Sequence, residues 1–223
     1  MPIADHNSFC PIIEGIGEVT FGYIRQLEDD DQKLFFLKKR LEGFLIQQID
    51  PVSERSQFFS PFPLTVLTCV AVETLGRVTQ PVTKLEKSGH KKTEISKLVS
   101  VPIYGELDKK LTRPLPQGFK KSMQELWPKD KNIKSIKSYA ELFHSYLRTS
   151  FMHGYRAKNV YLNANLEEGW VAENGSLTIN PYWFWKEYKR VFEESFEKIF
   201  DKKEKNNPYR INALAYLHRL IHE

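Results

Sequence analysis

The run Leu64-Thr65-Val66-Leu67-Thr68-Cys69-Val70-Ala71-Val72 is apolar nearly all the way round a helix, and it follows Pro63. A helix without a polar face has to be surrounded, so the segment from Leu64 to about Thr79 is expected in the middle of a bundle. The rest of the chain supplies the surrounding elements. Leu34, Leu37, Leu41, Phe44 and Leu45 recur at three- and four-residue steps, which predicts a first helix from about Phe21 to Gln48 with one buried face. Asp50-Pro51 is expected to end it, because proline cannot continue the hydrogen-bond ladder. From Pro81 to about Pro116 the periodicity fades among lysines and prolines, and the reading is a basic, loop-rich insertion with one short helix around Gly105–Leu111. Helical pieces follow at Gln117–Leu126 and Ser135–His153.

Beyond Tyr155 the pattern changes. Gly169-Trp170-Val171-Ala172-Glu173 and Ser176-Leu177-Thr178-Ile179 flank Asn174-Gly175, the pair that supplies the positive φ angles of a two-residue hairpin turn. Asn180-Pro181 then reads as N-cap and first residue of a helix whose stripe is Phe184, Tyr188, Val191, Phe192, Phe196 and Ile199. Asn206-Asn207-Pro208 is a break, and Ile211, Leu214, Leu217 and Ile221 mark a last helix, with His218 placed on its apolar stripe as a core histidine. Trp183 and Trp185 are read as core and rim packing. The fold class is therefore α: one domain over residues 1–223, a helical bundle with a small β-hairpin after the helix ending near His153.

Composition excludes several alternatives. Hydrophobic residues at 41% and charged residues at 27% are too apolar a mixture for a disordered chain. No window holds the roughly 18 consecutive apolar residues of a membrane span. Met1-Pro2-Ile3-Ala4-Asp5-His6 lacks the regions of a signal peptide, and Cys10 and Cys69 make no disulfide framework, so a cytoplasmic protein is expected. The net charge of +5 is unevenly placed: residues 84–121 hold ten Lys/Arg against four Asp/Glu, and Lys129, Lys131, Lys134 and Lys137 prolong the tract. Lys91, Lys92, Lys109 and Lys110 are its candidate RNA-binding residues, since a basic surface gathers polyanions. Ordinary solvated helix faces would look the same.

Phosphate loops, zinc helices, nucleophile elbows and Cys-x-x-Cys pairs are all missing from the sequence. What remains is the segment Ala140 to Tyr155, which contains Arg148, His153 and Tyr155 in the spacing Arg-x4-His-x-Tyr. This motif closes a predicted helix, a hairpin follows it, and Asn180-Pro181-Tyr182-Trp183-Phe184 opens the next helix. In these features, and in the Cys69–Leu75 segment with its acidic Glu73, the chain resembles the HEPN family over roughly residues 64–80 and 138–200. The resemblance implies a helical bundle, usually dimeric, with the motif helices of two subunits facing each other. It further implies a metal-independent ribonuclease without a cofactor, acting as a toxin or phage-defence effector. Arg148, His153 and Tyr155 would be catalytic, Glu73 and His144 supporting, and a nucleotidyltransferase antitoxin a possible partner. Thr149 departs from the commoner pattern, in which a small polar residue such as Asn or Asp follows the arginine.

The residue types suit that chemistry. A histidine exchanges protons near neutral pH, and an arginine grips phosphate with a planar, always-charged fork. On an ideal helix Arg148 and His153 would sit roughly 140° apart, whereas Tyr155 would nearly align with Arg148 and His144. A helix end at Gly154, or a second subunit, would bring the pair together. A structural role is open for the same residues: Arg148 as the partner of Glu73 or Glu141, His153 as a cap of helix carbonyls. On that alternative the chain is a non-catalytic helical interaction or RNA-binding protein.

Overall fold

The computed structural model describes residues 3–55, 61–148, 159–204 and 206–222. Among them the chain is mostly helical, with two small sheets. The apolar run forms α4 (Phe62–Thr79), with a proline in its first turn. By length and mean hydropathy α4 is long and apolar enough to cross a membrane, but here more than half of that stretch is buried against other elements. Its threonines need no outside partner. Thr65, Thr68 and Thr79 each donate a hydroxyl to the carbonyl four residues earlier, which makes them tolerable inside a core.

Around α4 pack α3 (Gln47–Arg55), α6 (Lys92–Leu107), α9 (Pro181–Phe200) and α10 (Pro208–His222). The contact with α6 is the tightest. A Cβ added at Gly76 would lie 2.3 Å from the Val99 carbonyl oxygen, so only glycine lets the two backbones approach this closely.

α6 overturns the reading of residues 81–116 as loops. α5 (Val82–Lys87) and α6 occupy most of the stretch, and Ile95, Val99, Ile103 and Leu107 of α6 are buried at four-residue steps. Pro102 masked that period. It sits inside α6, but on the exposed face, where its ring meets solvent. The short helix expected around Gly105–Leu111 is instead the end of α6 followed by a 3₁₀ turn, Lys109–Thr112.

The single helix expected over Phe21–Gln48 is divided. α1 (Phe21–Gln26) ends at Leu27, and α2 (Asp30–Leu41) starts behind Asp29, whose carboxylate accepts from the Asp31 N–H. A π segment, Glu42–Ile46, then leads directly into α3. Asp50-Pro51 does not stop the helix, since Pro51 lies within α3. Pro51 falls early in α3, soon after the π segment, and there its missing N–H removes only one bond of the ladder. The same shift rotates Phe44 outward: it is 48% exposed, not on the buried face that α-helical spacing assigned it. Asp50 holds α3 to α9 by accepting from Trp185 Nε1 and Lys189 Nζ, both at 2.8 Å.

The expected hairpin is present as β4 (Trp170–Glu173) and β5 (Ser176–Ile179), antiparallel, with Asn174 at φ 50° and Gly175 at φ 76°. A Cβ on Gly175 would also lie 2.8 Å from the Met123 backbone nitrogen, so the turn is seated against α7 (Gln117–Leu126). The sequence reading missed β3 (Val160–Leu162), which pairs parallel to β5. It also missed the N-terminal pair β1 (Ser8–Ile13) and β2 (Gly17–Thr20). Asn180 caps α9, accepting from the Tyr182 and Trp183 N–H groups, while its amide donates to the Ala164 and Leu166 carbonyls. Every residue of the predicted α9 stripe is buried. In α10 the buried line is Ala213, Leu217 and Ile221, so Ile211 is 54% exposed and His218 lies on the surface beside His222 instead of in the core.

The chain ends are joined through Arg25 of α1, which donates to the Ile221 carbonyl at 2.7 Å and the Ile3 carbonyl at 2.7 Å and pairs with Asp5.

Gly76→Ala separates two opposed effects. Alanine favours a helix over glycine by about 1 kcal/mol, whereas forcing a methyl into a packed backbone contact costs typically 1–3 kcal/mol. At 2.3 Å from a carbonyl oxygen the second effect dominates. Urea denaturation is expected to show a net loss of about 1–2 kcal/mol, and an equal or higher midpoint would contradict the close α4–α6 contact.

Candidate functional site

The element carrying Arg148 begins at Ser138. Its hydroxyl accepts from the Glu141 N–H at 3.2 Å, and the Glu141 carboxylate accepts in return from the Lys137 N–H at 2.9 Å. Glu141 also pairs with Lys97 of α6 at 3.1 Å. This carboxylate is thus committed to starting the helix and fastening it to α6. The α-helical part, α8, is only Tyr139–Leu142, and residues Phe143–Arg148 continue it as a second π segment. The helix expected from Ser135 therefore starts later, and a 3₁₀ turn, Lys131–Ser135, precedes it.

Leu142, Phe143, Tyr146 and Leu147 are buried, so this π segment is a core element packed against α4 and α6. The Phe143 ring meets the edges or faces of Tyr104, Trp170 and Phe184 at centroid distances of 5.8, 5.7 and 6.4 Å. The strand after the motif and the helix after the hairpin thereby converge on the motif element. π segments recur at functional sites because they re-aim side chains that an α-helix would place elsewhere. The α-helical alignment expected of His144 with Arg148 does not apply to a segment wound this way, and the offset from Arg148 to His153 falls outside the described residues.

Arg148 is the last described residue of the π segment. Its side chain, and His153 and Tyr155 altogether, lie outside the described residues. His144 is buried, 6% exposed, a place for a group that positions its neighbours from within the core. Glu73 is largely buried on α4 and pairs with Arg77 one turn on, at 2.9 Å.

Lys91 and Lys92 stand at the N-terminal end of α6, whereas Lys109 and Lys110 lie just past its C-terminal end. All four are exposed. The 16 residues of α6 place the two pairs about 24 Å apart along the helix. They form two patches, not one tract.

A third basic group lies beside the motif element, and the sequence reading treated it only as an extension of the tract. Trp127, Pro128, Lys129, Asp130, Lys131 and Asn132 line a cleft of about 470 Å³. Asp130 ties it to the motif element: one carboxylate oxygen accepts from the Tyr146 hydroxyl at 2.9 Å, the other from the Asn132 N–H at 3.0 Å. Burial and the neighbouring Asp130 carboxylate both push the Tyr146 hydroxyl far above its ordinary range, so it stays a donor. An aromatic residue set among lysines is a pattern that binds single-stranded nucleic acid, the charges following the backbone and the ring offering a stacking face. The sequence signal was the Trp-Pro-Lys-Asp-Lys run itself; its neighbourhood with Tyr146 was not visible before folding. Among the described residues no group of three or more His, Cys, Asp or Glu side chains is arranged to hold a metal ion.

No family model, curated protein or solved structure matches this chain.

Tyr146→Phe removes the Asp130 bond while keeping the ring in the core. A hydrogen bond to a charged acceptor contributes about 1.5–3 kcal/mol. The substitution is expected to lower stability within that range and to speed amide hydrogen exchange selectively over residues 127–137. Unchanged exchange there would separate the cleft from the motif element.

Proposed function

We propose that this chain is a metal-independent endoribonuclease of HEPN type, with Arg148 and His153 as the catalytic pair and Tyr155 assisting. The observation that carries the reading is the position of Arg148: it lies on a buried π segment packed on α4, the helix that bears Glu73, and the sequence Arg-x4-His-x-Tyr starts there. The elements on the far side of the motif, the β4–β5 hairpin and the Asn180-capped α9, follow in the order the resemblance implies.

In this reading His153 takes the proton of an RNA 2′-hydroxyl or returns one to the leaving 5′-oxygen. Arg148 holds the phosphate and stabilises the charge that gathers on it as the 2′-oxygen attacks. The products are a 2′,3′-cyclic phosphate and a 5′-hydroxyl. Lys129 and Lys131 beside the motif element, with Lys109 and Lys110, gather the strand by charge, whereas Lys91 and Lys92 contribute from a separate end of α6. Two subunits would set their motif elements face to face, completing each site across a twofold axis. A small nucleotidyltransferase acting as antitoxin would silence the enzyme by attaching AMP to Tyr155, adding bulk and negative charge where RNA phosphate must sit. Toxin or phage-defence activity in the cytoplasm is the setting such a pair implies. The aromatic-and-lysine cleft at Trp127–Asn132 favours a second reading, a helical RNA-binding protein without catalysis.

Purified protein is expected to cut single-stranded RNA in the presence of EDTA, leave cyclic phosphate ends and spare DNA, which lacks the 2′-hydroxyl. His153→Ala is expected to lower the rate by about 10²–10⁴-fold, the usual contribution of a general acid–base group. Arg148→Ala should do similar damage with the circular dichroism spectrum intact. RNA that is bound but never cut would leave the binding reading in place of the enzyme.

The twofold arrangement has its own measurement. Light scattering at tens of micromolar is expected to give the mass of a dimer, twice the 26.2 kDa of the chain. A fully active monomer would remove the shared site.

A further inference from the structure

A second basic feature lies away from the lysine patches, where α10 packs between α4 and α2. Ile3, Arg77, Tyr216, Arg219 and Leu220 line a cleft of about 340 Å³ there. That is near the lower end of ligand pockets, a size for a small molecule and not for a folded partner. Its charge is unusual for so small a space. Arg77 of α4 and Arg219 of α10 each reach it, and the Tyr216 ring lies close enough to Arg40 of α2 to feel its charge as well. Burial pushes the Tyr216 hydroxyl up, while Arg40, Arg77 and Arg219 pull it down. Arg77 and Arg219 thus line the cleft together with Tyr216, and Arg40 acts on its hydroxyl through charge.

The carboxylates nearby do not use up these donors. Arg77 spends one nitrogen on Glu73 at 2.9 Å, and Arg219 one on Glu86 at 2.7 Å. The Arg219 Nε is buried and has no hydrogen-bond partner among the described residues. Arg40 pairs with no carboxylate among them. Its guanidinium donates to the Phe9 carbonyl and lies over the rings of Phe9, Phe21 and Phe44 at 5.1, 5.3 and 5.0 Å. Among the described residues, three guanidinium groups thus face two carboxylates, and a buried donor is left without an acceptor there, a costly arrangement unless something supplies one.

We propose that this cleft binds the phosphate group of a phosphomonoester, with Arg77 and Arg219 gripping its oxygens and the Tyr216 hydroxyl donating a third bond. A phosphate dianion matches two converging forks, each of which fits oxygen pairs on phosphate. A single carboxylate would satisfy only one. Arg40 adds positive charge nearby, and Ile3 and Leu220 offer an apolar wall to whatever the phosphate is attached to. The phosphomonoester comes from one of two sources: a free nucleotide or the terminal phosphate of an RNA. The site stands independently of cleavage at Arg148 and His153, because its occupancy is measured by binding alone.

The test titrates the full-length protein with inorganic phosphate, AMP, acetate and chloride at matched ionic strength and follows the melting temperature and calorimetric heat. Inorganic phosphate and AMP are expected to raise the melting temperature in a saturable way, since a ligand of the folded state stabilises it by mass action. Acetate and chloride should not. Arg219→Gln and Arg77→Gln are each expected to weaken phosphate binding about tenfold, the loss of one charge-assisted hydrogen bond. Tyr216→Phe, which keeps the ring in place, should weaken it several-fold and serves where the arginine variants fold poorly. A 5′-phosphorylated RNA that binds more tightly than its 5′-hydroxyl twin, with the difference lost in Arg219→Gln, would identify RNA ends as the source; equal binding of the two RNAs alongside saturable AMP would identify free nucleotide. No saturable phosphate effect at about 10 mM over chloride, equal stabilisation by acetate, or full binding in the Arg77→Gln, Arg219→Gln double variant would overturn the proposal.

Discussion

Enclosing α4 is the requirement on which the rest of the molecule depends. Most of α4 is apolar, and apart from the side that carries Val70 and Arg77 it is covered by elements from both halves of the chain. The closure works because α4 carries small residues where neighbours come near. Gly76 admits the backbone of α6, and the hydroxyls of Thr65, Thr68 and Thr79 are absorbed by the helix's own carbonyls. The motif element is one of the pieces recruited to this closure. Its core-facing residues, Phe143 and Leu147, fix the backbone that ends in Arg148. The same helix holds Glu73 and Arg77, so core formation also builds the wall of the arginine cleft.

What was legible in the sequence was local and chemically explicit. The Asn174-Gly175 turn, the Asn180 cap and the α9 stripe depend on nearest neighbours, and all are found where their residues predicted them. The bounds of α7, Gln117–Leu126, were equally plain. Departures arise where proline is expected to stop a helix. Pro102 and Pro51 both lie inside helices, one pointing to solvent, the other soon after a π segment. The four-residue spacing of Ile95, Val99, Ile103 and Leu107 was a helical signal hidden by that assumption. β3 was invisible for a different reason: three residues carry too little alternation to read, and its partner β5 lies beyond an intervening loop that Asn180 holds.

Less of the site was readable than of the fold. Periodicity assumes 3.6 residues per turn, and it failed at both π segments, moving Phe44 outward and giving the approach to Arg148 a different winding. Charge counting located an excess of lysines but not its distribution in space, which α6 divides into two ends. Neither the Asp130–Tyr146 tie nor the cleft shared by Arg77, Tyr216 and Arg219 has any sequence signature, because each joins residues from separate elements.

The Arg25 clamp sets a condition on how the molecule reaches this state. Its bond to the Ile221 carbonyl spans 196 residues, nearly the whole chain. In equilibrium terms such a closure is cheap: two doublings of loop length add only about 1.2 kcal/mol over a loop a quarter as long. In kinetic terms it is slow, since contacts this distant in sequence are the ones that retard folding. The same Arg25 guanidinium holds the Ile3 carbonyl, and Ile3 is one wall of the cleft beside Tyr216, so a single side chain of α1 ties the shape of that cleft to the last turn of α10.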